Sequence, residues 1–267
     1  MTDIAEALCR TPRSVNTPPS APCERTPVMS SPQDLHLNEL LAVLPPDVLM
    51  RWQSQLEWVD MPLGQVLYAS GEVPRHVFFP TTAMVSLLIV SENGSTSEIA
   101  VVGREGMVGI STFMGGGSTA SRAVVQCAGQ GFQLDAGLMS EEFDLGGATM
   151  HLMLRYTQAL ITQMSQTAVC NRHHSLDQQL CRWLLLSLDR LEGPKLVMTQ
   201  ELISANLGVR REGVTEAALR LQDAGVIRYA RGRIKVLDRP ALEARTCECY
   251  AIVKREYDRL LPRRRPD

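Results

Sequence analysis

The sequence predicts an α+β protein in three parts: a β-rich first half, a long helix, and a helix-turn-helix with a small hairpin. Three observations carry this. Short apolar strands separated by glycine turns fill Val59 to Leu134. One sustained helical stripe runs from Met150 to Ala168. A helix–glycine–helix order followed by a basic hairpin occupies Met198 to Asp238.

A chain of 267 residues can bury the cores of two domains. Its apolar fraction of 45% fits a globular protein, and no apolar run approaches the roughly 18 residues of a membrane span. Met1 to Ala7 carries Asp3 and Glu6 with no long apolar stretch behind them, so no signal peptide is expected. Seven scattered cysteines do not resemble a disulfide framework, which predicts a reduced, cytoplasmic setting. Net charge is −2, but from Arg228 onward Lys and Arg outnumber acids, ending in Arg263-Arg264-Arg265. Such a locally basic region is sufficient to attract phosphates.

Residues 1–33 are rich in Pro, Ser and Thr and predict a disordered extension. Residues 34–145 form the next unit. Leu37, Leu40, Leu41 and Leu44 repeat like a helix up to Pro45-Pro46, and a second helix carries Val48, Leu49, Trp52 and Leu56. Strands are then expected at 66–68, 76–79, 84–90, 98–102, 122–127 and 132–134, with Asn93-Gly94 as a hairpin signal. Many short strands at even spacing suggest a small barrel or jelly roll.

A single long helix is expected from about Met139 to Asn171. Residues 146–175 contain its seam, Met150, Leu154, Thr157, Ile161, Met164 and Ala168, at the 4-3 spacing of a coiled coil, although a helix packed inside one domain would give the same stripe. His173-His174-Ser175 marks a hinge. Leu176 to Leu191 follows as an apolar helix that Gly193-Pro194 ends.

In the last unit, 176–260, Thr199 caps a short helix with Leu202, Ile203 and Leu207 on its apolar side, and Gly208 breaks it. The next helix, from about Arg210, buries Val214, Ala217, Ala218 and Leu221. That leaves Arg211, Glu212, Thr215 and Glu216 facing outward near its start. The second helix of a helix-turn-helix lies in the DNA major groove and reads bases with such residues. Arg can bond guanine O6 and N7 together, and Glu can accept from cytosine N4. Strands at 226–229 and 233–237 then flank Gly232 as a wing carrying Arg228, Arg231, Arg233 and Lys235. Thr199, Arg210, Arg231 and Arg233 are the expected backbone contacts, which position a protein on DNA without specifying sequence. Residues 261–267 form a basic tail. Two copies one DNA turn apart, about 34 Å, would raise specificity, and this favours reading the 146–175 stripe as a dimer seam.

The run Gly208-Val209-Arg210-Arg211-Glu212-Gly213-Val214 resembles the Gly-x-x-Arg-Glu-x-Val opening of the recognition helix in the Crp/Fnr superfamily of bacterial transcription regulators. The resemblance implies base contacts at Arg211, Glu212 and Glu216. Glu216 departs from the Arg of the catabolite activator branch, so that branch's DNA site does not transfer. The strand region is similar to the cyclic-nucleotide-binding β-roll of the same superfamily, with Gly64, Gly71-Glu72 and Gly103 at its turns. Dimerisation through the following helix is also implied.

Members that bind cyclic AMP use Gly-Glu to hold the ribose and Arg-Ser/Thr-Ala to hold the phosphate. Here Gly109-Ile110 and Ser121-Arg122-Ala123 stand at those places. Ile110 cannot accept the ribose hydrogen bond, a loss of about 1–3 kcal/mol, which speaks against cyclic AMP. These five residues remain the expected pocket for an unidentified effector. Cys9 and Cys23 lie too far apart for the superfamily's iron–sulfur cluster. No metal is expected either. Of Cys170, His173, His174 and Cys181, the last sits in an apolar helix where thiols simply pack, and Cys247 and Cys249 at i and i+2 of a helix point apart.

The expectation is therefore a homodimeric, cytoplasmic regulator binding double-stranded DNA, with RNA polymerase and a small-molecule effector as further partners and no membrane. A rival of a different class is a ligand- or redox-responsive β-roll protein whose helix-turn-helix contacts proteins. An enzyme ranks last, because no nucleophile–base motif, metal spacing or cofactor fingerprint is found.

Overall fold

The computed structural model describes residues 34–261 except 192, 194 and 231. The predicted N-terminal extension, the basic tail from 262 onward and the wing residue Arg231 lie outside the described residues.

Two antiparallel sheets form the first half. One orders β1 (Glu57–Met61), β7 (Gly129–Asp135) and β3 (His76–Pro80) as β1-β7-β3. The other orders β2 (Val66–Tyr68), β6 (Ser121–Cys127), β4 (Met84–Val90) and β5 (Thr96–Val102) as β2-β6-β4-β5. Val77, Phe79, Met84, Val85, Phe132 and Leu134 are buried between them. The expected Asn93-Gly94 hairpin joins β4 to β5, with Gly94 at φ +82° and Asn93 Oδ1 accepting from the Ser95 amide.

Two helical expectations are corrected. Residues 35–44 form not one helix but two short 3-10 turns, Asp34–Leu37 and Leu41–Val43. Between them the buried Asn38 accepts from the Leu40 and Leu41 amides, competing with the α-helical ladder, while its amide donates to the carbonyls of Pro80 and Gly106. The helix α1 (Pro46–Trp52) follows as expected. The single long helix divides into α2 (Ala136–Asp144) and α3 (Gly147–His173), because Gly146 and Gly147 adopt φ +78° and +75°, which the helical ladder does not accommodate.

α3 buries Leu152, Met153, Tyr156, Leu160, Gln163, Thr167 and Cys170 along one side. Helix α4 (Leu176–Arg190) begins at a capping box between Ser175 and Gln178 and is buried along most of its length. The last part comprises β8 (Lys195–Val197), α5 (Gln200–Leu207), α6 (Arg211–Asp223), β9 (Ile227–Ala230), β10 (Arg233–Val236), α7 (Arg239–Arg245) and α8 (Glu248–Leu260). β8 is a third wing strand that the sequence did not reveal, and it pairs with β10 to give the order β8-β10-β9.

The two halves are joined by buried polar contacts. The Tyr156 hydroxyl donates to the Met107 carbonyl over 2.7 Å. Arg190 pairs with Glu105 at 2.7 Å and donates to the Val101 carbonyl. Here glycine is required: a Cβ on Gly106 would lie 2.4 Å from the Tyr156 ring, and one on Gly103 2.6 Å from Arg190 Cβ. Glu98 of β5, buried, accepts from Ser86 Oγ at 2.6 Å and from Trp183 Nε1 of α4 at 2.9 Å.

Candidate nucleic-acid interface

Thr199 accepts from the Leu202 amide and starts α5, and Gly208 at φ +67° ends it in the left-handed conformation that glycine supplies most easily. After that tight turn α6 packs through Val214, Ala217, Ala218 and Leu221, as the spacing predicts. A bidentate Arg220–Asp177 pair at 2.6 and 2.8 Å fastens α6 to α4.

This packing leaves the first turn of α6 open. Arg211, Glu212 and Glu216 are exposed. Glu216 lies 3.9 Å from Arg220 on its own helix. Thr215 is half-buried, and its hydroxyl donates to Gln200 Oε1 at 2.9 Å and to the Arg211 carbonyl at 3.0 Å, so it braces the two helices. Arg210 is exposed at the N-cap of α6, which no side chain caps. Thr199, Gln200, Glu201, Arg211, Tyr229, Ala230 and Gly232 line a groove of about 410 Å³ between α5, α6 and the wing. Tyr229 holds the wing there by donating to the Met198 carbonyl. Arg228, Arg233 and Lys235 are exposed on the wing strands.

The expected effector residues are placed less favourably. Gly109, at φ +109°, caps a 3-10 turn of only three residues that starts with half-buried Ile110. Ala123 is fully buried in β6 and Ser121 is 8% exposed, bonded to Thr119. Arg122 has a buried Nε without a hydrogen-bond partner. Ile110 offers no acceptor for a ribose hydroxyl, and the Glu105 carboxylate is held by Arg190 and the Gly103 amide. A separate cavity of about 300 Å³ lies where the Arg104-Glu105 turn meets α4 and α8, lined among others by Asp189, Arg190, Arg239 and Tyr257. None of the five expected residues lines it.

Of the expected seam, Leu154 and Ile161 are 47% and 46% exposed, Ala168 is exposed, and Met150 and Met164 are half-buried. Thr157 is the correction. It is 5% exposed within its own chain, because α3 turns it toward the buried side.

The cysteines require a second correction. α8 begins at Glu248, so Cys247 is its N-cap with extended backbone (φ −89°, ψ 169°) and is not one turn inside a helix. The two thiols are therefore free of the divergence that i and i+2 show inside a helix. Cys247 and Cys249 meet Cys170 and His174, with one ligand atom of each within 4.8 Å of the others. His173 is exposed and outside this group, as is Cys181, which is buried in α4.

A β-roll, a long helix with an exposed apolar stripe and a winged helix-turn-helix with an open recognition helix define a DNA-binding transcription regulator. A family model described as "Cyclic nucleotide-binding domain" matches residues 58–143, and one described as "Crp-like helix-turn-helix domain" matches 178–245. The chain belongs to the Crp/Fnr family of transcription regulators, which bind DNA and act as dimers. Its fold is similar to FixK2 from Bradyrhizobium japonicum (14% identity, TM-score 0.62, covering 72% of this chain and 98% of that one). A transcriptional regulator of the CRP family from Thermus thermophilus gives 18% identity and TM-score 0.58, over 70% and 95% of the two chains. CLP, a c-di-GMP responsive global regulator from Xanthomonas campestris, gives 11% and 0.55 over 72% and 99%. No curated protein matches by sequence. Among the described residues, no helix is long and apolar enough to cross a membrane.

Proposed function

We propose that this regulator works in the cytoplasm as a homodimer paired along the exposed stripe of α3 and places two copies of α6 in successive major grooves. The observation that carries the reading is the open first turn of α6 beside the groove it shares with the wing. In this proposal Arg211, Glu212 and Glu216 read base edges, with Thr215 contributing its methyl group, and Thr199, Arg210, Arg231 and Arg233 hold phosphates. Leu154, Ile161 and Ala168 carry the pairing, with Met150 and Met164 at its margins. α3 has apolar residues on two sides: one packs on α8 and on β5 of its own β-roll, and in this reading the other is left for a second copy.

Regulation follows from what α3 and α4 touch. The turn 103–107 bears directly on Tyr156 and Arg190, so an effector that moves this turn would shift both helices and the spacing of the two recognition helices. The effector proposed here is an anion other than cyclic AMP, drawn to Arg122. RNA polymerase is a further proposed partner.

Fluorescence anisotropy of a random-sequence duplex across a salt series tests the DNA reading. Phosphate contacts give an affinity falling steeply with salt, with a slope of about −0.9 per phosphate neutralised. A flat profile would transfer the helix-turn-helix to protein contacts.

A further inference from the structure

Where α8 meets the far end of α3, three thiols and an imidazole converge. Cys170 lies in the last turn of α3, His174 is its C-cap, Cys247 is the N-cap of α8 and Cys249 sits in its first turn. Cys170 Sγ is 3.5 Å from Cys247 Sγ, and Cys249 Sγ is 3.6 Å from His174 Nδ1. A tetrahedron with metal–sulfur bonds of about 2.3 Å has edges of about 3.8 Å, so these four atoms stand close to the corners such a shell requires. We propose that Cys170, His174, Cys247 and Cys249 bind one tetrahedral divalent cation, zinc by preference, which staples the C-terminal helix to the hinge between α3 and α4.

The surroundings suit a metal better than a chance cluster. His174 turns Nδ1 to the thiols while Nε2 lies 3.3 Å from the Glu248 carboxylate. A carboxylate on the second nitrogen fixes the tautomer that leaves the first one free to ligate. The three cysteines are at most 4% exposed, which closes the shell to substrate and makes the site structural. Three thiolates around a divalent ion leave one net negative charge. Arg182, 3% exposed, supplies the opposite sign: its guanidinium is beside Cys170, with Nη1 on Thr167 and a buried Nε that has no hydrogen-bond partner. Gln179 braces the same corner by donating to the carbonyls of Cys170 and His174. Binding displaces the three thiol protons and needs no oxidant.

The consequence is mechanical. α8 runs back along α3 and brings Tyr257 over the Arg190 guanidinium, 5.5 Å from the ring centre. A metal at the other end of α8 would fix the angle at which the winged unit leaves the hinge. This inference is independent of the DNA reading.

The test uses the full-length protein purified under reducing conditions. Elemental analysis should find about one zinc per chain, and the chelated protein titrated with Co2+ should develop the visible bands of tetrahedral thiolate-bound cobalt, which Zn2+ then bleaches. Cys170→Ser and Cys249→Ser should abolish the bands, whereas Cys127→Ser in the β-roll should keep them. Glu248→Gln, which removes no ligand, should weaken the metal about 10–100-fold. Wild-type protein that takes up neither ion overturns the proposal without reference to any variant's folding. So do bands that survive the double variant Cys170→Ser/Cys249→Ser. A Cys170–Cys247 disulfide found by peptide mass spectrometry in protein that takes up no metal after reduction would assign the pair to redox chemistry instead.

Discussion

Arg211 lines the groove shared with the wing from the first turn of α6, and among the described residues it makes no ion pair that would compete with a guanine. Arg211→Ala is expected to weaken specific binding by about 1–3 kcal/mol and relax one base position, leaving random-sequence affinity nearly unchanged; selection of bound sites by both proteins checks this. Glu98 makes a different kind of prediction. Burial pushes its carboxyl up to about 7, against the hydrogen bonds of Ser86 and Trp183 and the nearby charges of Arg182 and Arg190. The folded chain therefore keeps a proton that the unfolded chain gives up near the usual carboxylate range. Stability should fall as pH rises from there to about 7 and be flat above, a loss on the order of 3 kcal/mol. Glu98→Gln should abolish that slope in denaturant titrations across the window. An unchanged slope would place the titration elsewhere.

At the scale of elements, α3 buries one face within its own chain and leaves Leu154, Ile161 and Ala168 exposed on another. Its heptad stripe was legible because exposed apolar residues at 4-3 spacing survive any change of neighbours. Thr157 was misassigned because it lies at the edge of the stripe nearest the face that packs within the chain, and spacing alone does not mark where that edge falls. A glutamate in place of Ile161 should convert the dimer to monomers by light scattering, since it puts a charge at the middle of the stripe. An intact dimer would remove α3 as the seam. The break before α3 and the start of α8 were harder to see. Gly146-Gly147 and Cys247 each sit inside a stretch whose side-chain pattern continues as if helical, while the backbone there does not.

On the scale of the whole molecule, the winged unit rests on the β-roll of its own chain: Trp183 and Arg190 of α4 reach the buried carboxylates of Glu98 and Glu105, and a Cβ on Gly208 would come within 3.6 Å of Ser97. The β-roll and the winged unit thus share one polar seam, through which the proposed regulation would have to pass. Because operator affinity depends on two correctly spaced recognition helices, the glutamate variant at Ile161 should also lose most specific binding while each monomer keeps a shallower salt slope. Equal specific affinity in the monomer would show that spacing does not matter.

What the residues determined alone was local and periodic: most of the strand run, the Asn93-Gly94 hairpin, the Thr199 cap, the Gly208 stop and the apolar side of α6. Periodicity and capping are properties of a few neighbouring residues, so they can be read without knowing what packs against them. Only the tertiary structure decided which distant groups meet. Cys170 and Cys247 are 77 residues apart, Glu98 and Trp183 are 85 apart, and nothing in either neighbourhood names its partner. A periodic pattern states that a side is buried, but its partner is chosen by how whole elements pack.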